Sequence, residues 1–267
     1  MEIEMNMMQG YFVYWNSERL NISVEESLDR FKKSFNAVGG HHSGKFKEFC
    51  GTSHDLYYPF SADSKDLVYE AYQYHSYMHF LRMLSLPTPQ ISERDTVYNE
   101  VKGRDDVHIF DYGCGIAPYS IAYAIRLKDV GVKVKLHLID IPTIRQQFLE
   151  YVCANLEIEF EFYAPPKDSG AFFPEIEECD VAITVEVFEH LYNPIDYFRL
   201  MDGYIKDGGL MITNIKDHKE DFMHVTPDLS LLRKEFAEMG YANISDNSYY
   251  LECGVGIGSK QLFRKGM

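Results

Sequence analysis

The sequence predicts an α/β fold over residues 106–267, in which helices pack around a mostly parallel sheet. Three observations support this prediction: short apolar runs alternate with helical segments, a glycine turn directly follows the first run, and the chain ends in two runs with no helix between them. Alternating strands and helices are typical of right-handed βαβ units, whose strands lie parallel. The final two runs predict a hairpin that adds an antiparallel strand.

The individual elements follow from apolar periodicity and from turn residues. The predicted strands of the parallel part are Val107–Phe110, Val134–Ile139, Ile158–Tyr163, Val181–Val185 and Leu210–Ile215. The predicted helices between and after them are Tyr119–Val130, Ile144–Asn155, Pro194–Ile205 and Pro227–Met239. The predicted terminal strands are Asn243–Tyr250 and Gln261–Arg264.

Residues 1–105 are predicted to form a separate N-terminal helical cap, because this part is rich in aromatic residues, histidine and helical patterns. One helix is predicted over Val24–Ala37, a longer one over Ser64–Leu86, and a short one from Ser92 to Lys102. Proline residues directly after the second of these helices mark its end. No family resemblance covers this part of the chain.

Composition restricts the classes of function. The chain has 267 residues and a net charge of −15, which disfavours a nucleic-acid partner because phosphate backbones are repelled. Its five cysteines form no CxxC pair, which predicts a reduced, cytoplasmic protein without a zinc framework. No apolar run approaches the ~20 residues that a membrane span needs, so no membrane partner is expected.

The stretch 108–121, HIFDYGCGIAPYSI, places an acid and a glycine turn between the first predicted strand and a helix. Gly113 and Gly115 permit positive φ and let a ligand lie against bare backbone, although a turn needed only for packing would also use glycine. A dinucleotide fingerprint requires a third glycine where Pro118 stands, and Asp111 would repel its pyrophosphate. S-adenosylmethionine fits better, because Asp111 attracts its cationic groups and the helix amino end receives its carboxylate.

A second acid supports a nucleoside ligand. Asp140 ends the second predicted strand, 25 residues after Gly115, where a carboxylate can accept hydrogen bonds from both ribose hydroxyls. The same residue is also well placed to cap the helix that follows it. The two roles are compatible, and the sequence leaves both open.

Four segments of the chain, taken together, resemble a known family. IFDYGCGIAPYS, LHLIDI, CDVAITVEVFEHLYNP and YIKDGGLMI occur in this order. They are similar to the glycine motif, ribose acid, fourth-strand motif and pre-fifth-strand turn of class I S-adenosylmethionine-dependent methyltransferases, in the branch with EHL after strand four. The resemblance covers roughly residues 106–267. It implies a Rossmann-like, seven-stranded, mostly parallel sheet whose last strand is antiparallel.

The resemblance also implies a set of cofactor-binding residues. Ala117 stands where many family members have a third glycine, and a side chain this small should be tolerated. The implied cofactor-binding residues are Asp111, Tyr112, Gly113, Cys114, Gly115, Asp140, Ile141 and Glu186.

Three histidines are candidates for a catalytic base, in the order His224, His218 and His190. In this fold the loop after strand five lines the acceptor pocket and the turn after strand four faces the methionine end of the cofactor. A general base assists when the acceptor is a hydroxyl. His190 has a second interpretation as a structural hydrogen-bonding residue, and the other two have one as members of a solvated charged loop. The spacing of these residues matches no metal signature, so no metal site is predicted.

The sequence therefore predicts a methyltransferase that uses S-adenosylmethionine and acts on a small-molecule acceptor, such as a natural product or a sugar. An oxygen acceptor is favoured because histidines crowd the predicted pocket. A homodimer is one expected form of assembly. The alternatives are N-methylation of a small molecule or protein, a tRNA acceptor, a non-catalytic cofactor-binding subunit, and an NAD-type Rossmann oxidoreductase.

Overall fold

The computed structural model of the chain describes residues 5–38, 83–84, 89–166, 171–215, 217, 225–245 and 260–266. The predicted helix Ser64–Leu86 lies almost entirely outside these residues, and so does most of the predicted strand Asn243–Tyr250. Both stay predictions, and so does the division of the chain at residue 105.

Seven strands form one sheet in the order β3-β2-β1-β4-β5-β7-β6. Neighbours among the first five strands in this order are parallel, whereas β7 runs antiparallel to both β5 and β6. The predicted seven-stranded, mostly parallel sheet with an antiparallel last strand is therefore confirmed. The strands are β1 Asp106–Tyr112, β2 Lys133–Ile139, β3 Glu159–Tyr163, β4 Cys179–Thr184, β5 Ile205–Thr213, β6 Ala242–Asn243 and β7 Gln261–Arg264.

The helices of the described residues include three that precede the sheet, as the predicted N-terminal helical region requires. They are α1 Met7–Leu20, α2 Val24–Val38, α3 Thr96–Val101, α4 Pro118–Lys128, α5 Ile144–Asn155, α6 Pro194–Asp202 and α7 Ser230–Glu238. A short 3-10 helix spans Phe188–His190. In the part of the chain that the structure describes, no helix is long and apolar enough to cross a membrane.

Helix α1 is not predicted from the sequence, yet its start is well defined. Asn6 caps it, since its side chain accepts a hydrogen bond from the backbone N–H of Gln9 and the Gln9 side chain accepts one from Asn6. This reciprocal arrangement satisfies two backbone donors that a helix start otherwise leaves open. Aromatic side chains such as Phe12 and Trp15 then pack on Phe148 of α5, with ring centroids 6.3 and 5.6 Å away.

Two hydrophobic layers cover the two faces of the sheet. On one face, helices α1, α3, α4 and α5 pack against residues such as Ile109 of β1 and Leu136 of β2. On the other, α6 and α7 pack against Phe110 of β1 and Met211 of β5, and Phe198 stacks on Phe236 with centroids 3.8 Å apart. Because successive residues of a strand face opposite sides, a strand of a doubly covered sheet is buried along its whole length, as β4 is.

Several boundaries differ from the sequence-based prediction. Strand β5 begins at Ile205 rather than Leu210, helix α7 begins at Ser230 rather than Pro227, and α6 ends at Asp202. The early part of β5 contains Gly208 with a φ of +73°, so it resembles a turn in sequence while it still pairs with β4. The pairing continues through a register shift, which sequence periodicity does not reveal.

Candidate ligand site at the carboxyl edge of the sheet

The strand order places a crevice at the carboxyl ends of β1 and β4. Strand β1 lies between β2 and β4, so the chain leaves β1 toward one side of the sheet and later returns to the other side. Ligands of open α/β sheets bind in the crevice at such a switch point. The glycine turn after β1, Asp140 after β2 and Glu186 after β4 all lie at this edge.

The glycine turn is built from residues with left-handed backbone conformations. The φ values of Gly113, Gly115 and Ala117 are +68°, +59° and +48°. A Cβ on Gly113 would lie 2.6 Å from a methyl group of Val187, so this position requires glycine because the loops after β1 and β4 touch. Helix α4 then begins at Pro118, and no side chain of the described residues caps its amino end. The open amino end can receive an anionic group.

The bare backbone of Gly115 is covered by a methionine from the N-terminal region. A Cβ on Gly115 would lie 2.9 Å from the sulfur of Met83, whose side chain therefore packs on this glycine. The chain is held there because both Asn6 and Gln9 donate side-chain hydrogen bonds to the carbonyl of Leu84, at 3.2 and 2.8 Å. A ligand that lies against Gly115 must therefore share this face with Met83 or displace it.

Asp111 is buried near the end of β1 and is only 4% exposed. Its carboxylate accepts a hydrogen bond from the hydroxyl of Ser120 in α4, and within the described residues it forms no ion pair. Burial raises the pKa of Asp111 to about 7, the charge of Asp140 raises it slightly further, and the Ser120 hydrogen bond partly opposes both. At neutral pH this carboxyl therefore holds a proton part of the time.

Asp140 connects the end of β2 to the glycine turn. One carboxylate oxygen accepts the backbone N–H of Gly115 at 2.7 Å, and the other accepts the N–H of Ile141 at 2.7 Å and Nη2 of Arg145 at 3.3 Å. Helix α5 is capped by Thr143 instead, which accepts the backbone N–H of Arg145 at 3.2 Å. The interpretation of Asp140 as the helix cap is therefore wrong.

The remaining residues predicted at this turn lie around the same crevice. Tyr112 stacks on Phe173 with ring centroids 5.0 Å apart, and burial raises the pKa of its hydroxyl. The Cys114 thiol is buried, its pKa is raised by that burial, and its backbone N–H donates to the carbonyl of Ile139 at 3.1 Å. Ile141 follows Asp140 directly and is half-buried.

Glu186 has a strained backbone and is held on two sides by one residue. Its φ is +58°, a value that glutamate rarely adopts. The side chain of Asn214, just after β5, accepts the Glu186 backbone N–H and donates its amide to the Glu186 carboxylate. Asn214 is itself buried, so it fixes both the backbone and the side chain of Glu186 at the edge of the crevice.

Glu189 lies in the 3-10 helix, three residues after Glu186, and it is 1% exposed. Neither of its carboxylate oxygens has a hydrogen-bond partner among the described residues. Burial raises its pKa to about 8, and the charge of nearby Glu186 adds to this effect. Such a side chain holds a proton at neutral pH, because a buried carboxylate without a cation is costly.

The structure places one of the three predicted histidines. His190 ends the 3-10 helix, is half-buried, and donates its backbone N–H to the carbonyl of Val187 at 2.9 Å. His218 and His224 lie outside the described residues. Thr226, two residues after His224 in the sequence, donates its backbone N–H to the carbonyl of Glu189 at 3.0 Å.

Sequence reasoning missed three residues of the site: Met83, Arg145 and Asn214. Arg145 is 5% exposed and is a rare buried cation, but nothing in its helical pattern distinguishes it from a solvated residue. Asn214 gives a weak signal, since it is a polar residue that directly follows the apolar end of β5. Met83 lies too far along the chain from the turn for any local pattern to connect them.

Comparison with known proteins adds similarities of fold. No family model matches the sequence, and no curated protein matches it. Among solved structures, MNMC2 from Aquifex aeolicus is 14% identical with a TM-score of 0.43, over 66% of this chain and 58% of that chain. This chain thus spans less than two thirds of the length of that protein.

Two further structures show the same kind of likeness. The 4+2 cyclase SpnF is 13% identical over 68% of this chain and 73% of its own, with a TM-score of 0.47. A Listeria monocytogenes protein named as a class I S-adenosylmethionine-dependent methyltransferase is 13% identical over 97% and 87%, with a TM-score of 0.46. Likenesses at this level carry no argument about activity, which has to be argued from the site.

Proposed function

We propose that this chain is an S-adenosylmethionine-dependent methyltransferase that acts on a small-molecule acceptor, with oxygen as the favoured acceptor atom. The observation that supports this proposal is that two buried acids of the crevice have no cationic partner among the described residues. Asp111 and Glu189 are almost fully buried, and no described lysine or arginine pairs with either of them. A ligand that brings its own positive charge would stabilise these acids in their ionised form.

The residues of the crevice fit this ligand in three further respects. Gly113 and Gly115 give the turn a backbone shape that admits a ligand closely. The carboxylate of Asp140 is 13% exposed, and its oxygen that accepts the Gly115 N–H has a further lone pair, so it can accept a hydrogen bond from a ribose hydroxyl. The open amino end of α4 suits a carboxylate, whereas the neighbouring acids would repel a pyrophosphate.

The proposed reaction depends mainly on how the acceptor is positioned relative to the methyl group. S-adenosylmethionine supplies, when bound, an electrophilic methyl group on a cationic sulfur. Methyl transfer is an in-line displacement, so holding the acceptor close and collinear accounts for much of the rate. The proposed base for a hydroxyl acceptor is His224, then His218, then His190. The carboxylate of Glu186, fixed by Asn214, adds negative charge beside the ligand.

The proposal also covers the cellular location of the protein and its partners. We place the protein in the cytoplasm, with a small-molecule acceptor and no nucleic-acid or membrane partner, and with a homodimer as one form of assembly. The net charge of −15 supports the exclusion of nucleic acid, because an acidic surface repels phosphate. The N-terminal region is proposed to shape the choice of acceptor, which is supported by the contact of Met83 with the glycine turn.

Isothermal titration calorimetry tests the choice of ligand. We expect S-adenosylhomocysteine and S-adenosylmethionine to bind, and NAD and NADP to give no comparable heat. Gly113→Ala is the matched variant, since its Cβ would collide with Val187 and disturb the turn. Tight NAD binding without a signal from S-adenosylhomocysteine would contradict the proposal.

A further inference from the structure

Helix α5 carries a buried arginine whose guanidinium lies at the glycine turn. Arg145 is 5% exposed, and a guanidinium is rarely buried unless its donors find partners. Its Nε donates to the hydroxyl of Thr143 at 3.0 Å, and its Nη2 donates to the carboxylate of Asp140 at 3.3 Å. The bond to Asp140 and the burial of the side chain fix the guanidinium even without Thr143, so its third nitrogen, Nη1, has a defined position.

The Nη1 atom of Arg145 has a weak acceptor as its partner. Within the described residues it donates to the thioether sulfur of Met83, at 3.7 Å, and to no oxygen. A thioether is a poor hydrogen-bond acceptor, so this buried cationic donor is left largely unsatisfied. A ligand oxygen that takes the place of the sulfur would satisfy it better.

The place that Met83 fills is the bare face of Gly115. A Cβ on Gly115 would lie 2.9 Å from the sulfur of Met83 and 3.9 Å from Nη1 of Arg145. The backbone N–H of the same glycine donates to Asp140 at 2.7 Å, and the carboxylate oxygen that accepts it has a further lone pair. A ligand that displaces Met83 from Gly115 therefore comes within reach of a donor, Arg145, and of an acceptor, Asp140.

Charge decides which ligand group suits this donor and acceptor. The positive charge of Arg145 is already matched by Asp140 through their ion pair, so a phosphate or a carboxylate would add an uncompensated negative charge. An ammonium group would be repelled by the guanidinium. A hydroxyl both donates and accepts hydrogen bonds, so it can satisfy Asp140 and Arg145 together without adding charge.

We propose that Arg145 is a specificity-determining residue that recognises a ribose hydroxyl of the ligand together with Asp140. The hydroxyl donates its hydrogen to the Asp140 carboxylate, and its oxygen accepts a hydrogen bond from Nη1 of Arg145 in place of the Met83 sulfur. The proposal rests on the proposed function for the ligand, S-adenosylmethionine. It adds selectivity to the role of Asp140, because a carboxylate alone accepts from any donor whereas the pair requires a group that also accepts.

Calorimetry with S-adenosylhomocysteine and its 2′-deoxy and 3′-deoxy analogues tests this contact as a double-mutant cycle. In wild type we expect the loss of one of the two hydroxyls to weaken binding by at least about tenfold. In Arg145→Met, which has no donor, that penalty should shrink by at least about threefold, because the hydroxyl oxygen has already lost its partner. A purely structural role would weaken all three ligands equally and leave the penalties unchanged. Equal penalties for both hydroxyls in wild type and Arg145→Met would overturn the proposal.

Arg199→Met is the matched control, because Arg199 also pairs with an acid, Glu235, at 2.6 Å. We expect this variant to show the wild-type penalties. If Arg145→Met does not fold, Arg145→Lys takes its place, since it keeps a positive charge beside Asp140 but replaces the planar fork by one nitrogen. The penalty should then shrink by at least about twofold, and an unchanged penalty in Arg145→Lys would also overturn the proposal.

Two further ligands separate the possible outcomes. Decarboxylated S-adenosylhomocysteine tests whether Arg145 binds the ligand carboxylate instead, and a carboxylate penalty that shrinks in Arg145→Met would overturn the proposal. If S-adenosylhomocysteine does not bind but adenosine does, with a hydroxyl penalty that depends on Arg145, the proposed function fails and the role of Arg145 stands. If S-adenosylhomocysteine binds with hydroxyl penalties independent of Arg145, the reverse holds. No binding by either ligand would overturn both.

Discussion

Buried acids lie at both ends of the parallel sheet, but the acids at the two ends differ in their hydrogen-bonding and charged partners. At the amino end, Asp180 of β4 is 1% exposed and accepts hydrogen bonds from Arg104, from Lys206 at 2.9 Å and from the backbone N–H of His108 at 2.9 Å. At the carboxyl end, Asp111 is just as deeply buried but has a single hydroxyl partner, and Glu189 has none among the described residues.

The difference distinguishes an acid whose charge is balanced within the fold from acids for which we propose a ligand as the partner. Asp180 connects β1, β4 and β5 through its partners, and its charge is balanced inside the chain. At the carboxyl edge, Asp111 and Glu189 have no cationic partner among the described residues, and their burial raises their pKa values and costs stability. A fold that keeps this cost at one edge only suggests that a cation from outside balances it there.

The largest expected effect concerns the pH dependence of stability through Asp111. Its folded-state pKa of about 7 lies above the usual value of 3.8, so between these pH values the folded protein keeps a proton that the unfolded chain has lost. Stability should therefore fall as pH rises from about 4 to 7, by at most about 4 kcal/mol, since one pKa unit corresponds to about 1.4 kcal/mol.

Asp111→Asn removes this ionisation while it keeps the size of the side chain. Urea unfolding at a series of pH values should show that the variant gains stability relative to wild type as pH rises through that window. Glu178→Gln, an exposed acid, serves as control and should follow the wild-type curve. If the difference in the free energy of unfolding between Asp111→Asn and wild type does not change with pH, the burial of Asp111 has no cost in its ionised form. The contrast between the two ends of the sheet then fails.

At the amino end of the sheet, we expect neutralising the buried acid to lower stability rather than raise it. Asp180→Asn removes the charge that balances Arg104 and Lys206, and it should cost about 2–4 kcal/mol of stability at neutral pH, because breaking a buried pair leaves the partners uncompensated. The partly exposed ends of both cations limit the loss. Urea unfolding measures it, and calorimetry should show unchanged S-adenosylhomocysteine affinity in the folded variant. A stable Asp180→Asn variant would remove the contrast between the edges.

The sequence predicts this fold better than it predicts the site. Strands β1, β2 and β4 each contain apolar residues that the structure buries, and their positions are predicted to within about two residues. Helix α1 is missed because its aromatic residues form no clear stripe and Gly10 interrupts the pattern. The periodicity of apolar residues predicts each helix or strand separately. It therefore does not predict which residues of different elements come together in a site.

The turn after β1 and Asp140 are recognisable because their spacing is local. The burial of Glu189 is not, since it depends on loops after β4 and β5 and on the segment at Thr226, which meet only in the folded chain. The role of Asn214 likewise depends on a partner, Glu186, that follows a different strand. The sequence therefore indicates the edge where a ligand would bind, and the structure adds the charges that it would meet.

A smaller effect, on ligand affinity, is expected for Asp140, the acid of the carboxyl edge that pairs with a cation inside the chain. Asp140→Ala removes the acceptor for the Gly115 N–H and the proposed acceptor for the ribose hydroxyls. We expect S-adenosylhomocysteine affinity to fall by about ten- to a hundredfold, equivalent to about 1.5–3 kcal/mol for hydrogen bonds to a charged group. Thr143→Ala is the control, because it removes the cap of α5 and should reduce stability with little effect on affinity. Unchanged affinity in a folded Asp140→Ala variant would leave Asp140 a purely structural role.

The smallest effect concerns Met83, which covers the bare face of Gly115. If a ligand has to displace this side chain, Met83→Ala should bind S-adenosylhomocysteine more tightly, by about threefold, since only a few van der Waals contacts of 0.1–0.2 kcal/mol each are given up. Met8→Ala in α1 is a suitable comparison, because Met8 is a buried core methionine and its loss should lower stability without tightening binding. Weaker binding by Met83→Ala would mean that the methionine contacts the ligand rather than competes with it. The N-terminal region would then be part of the ligand site itself.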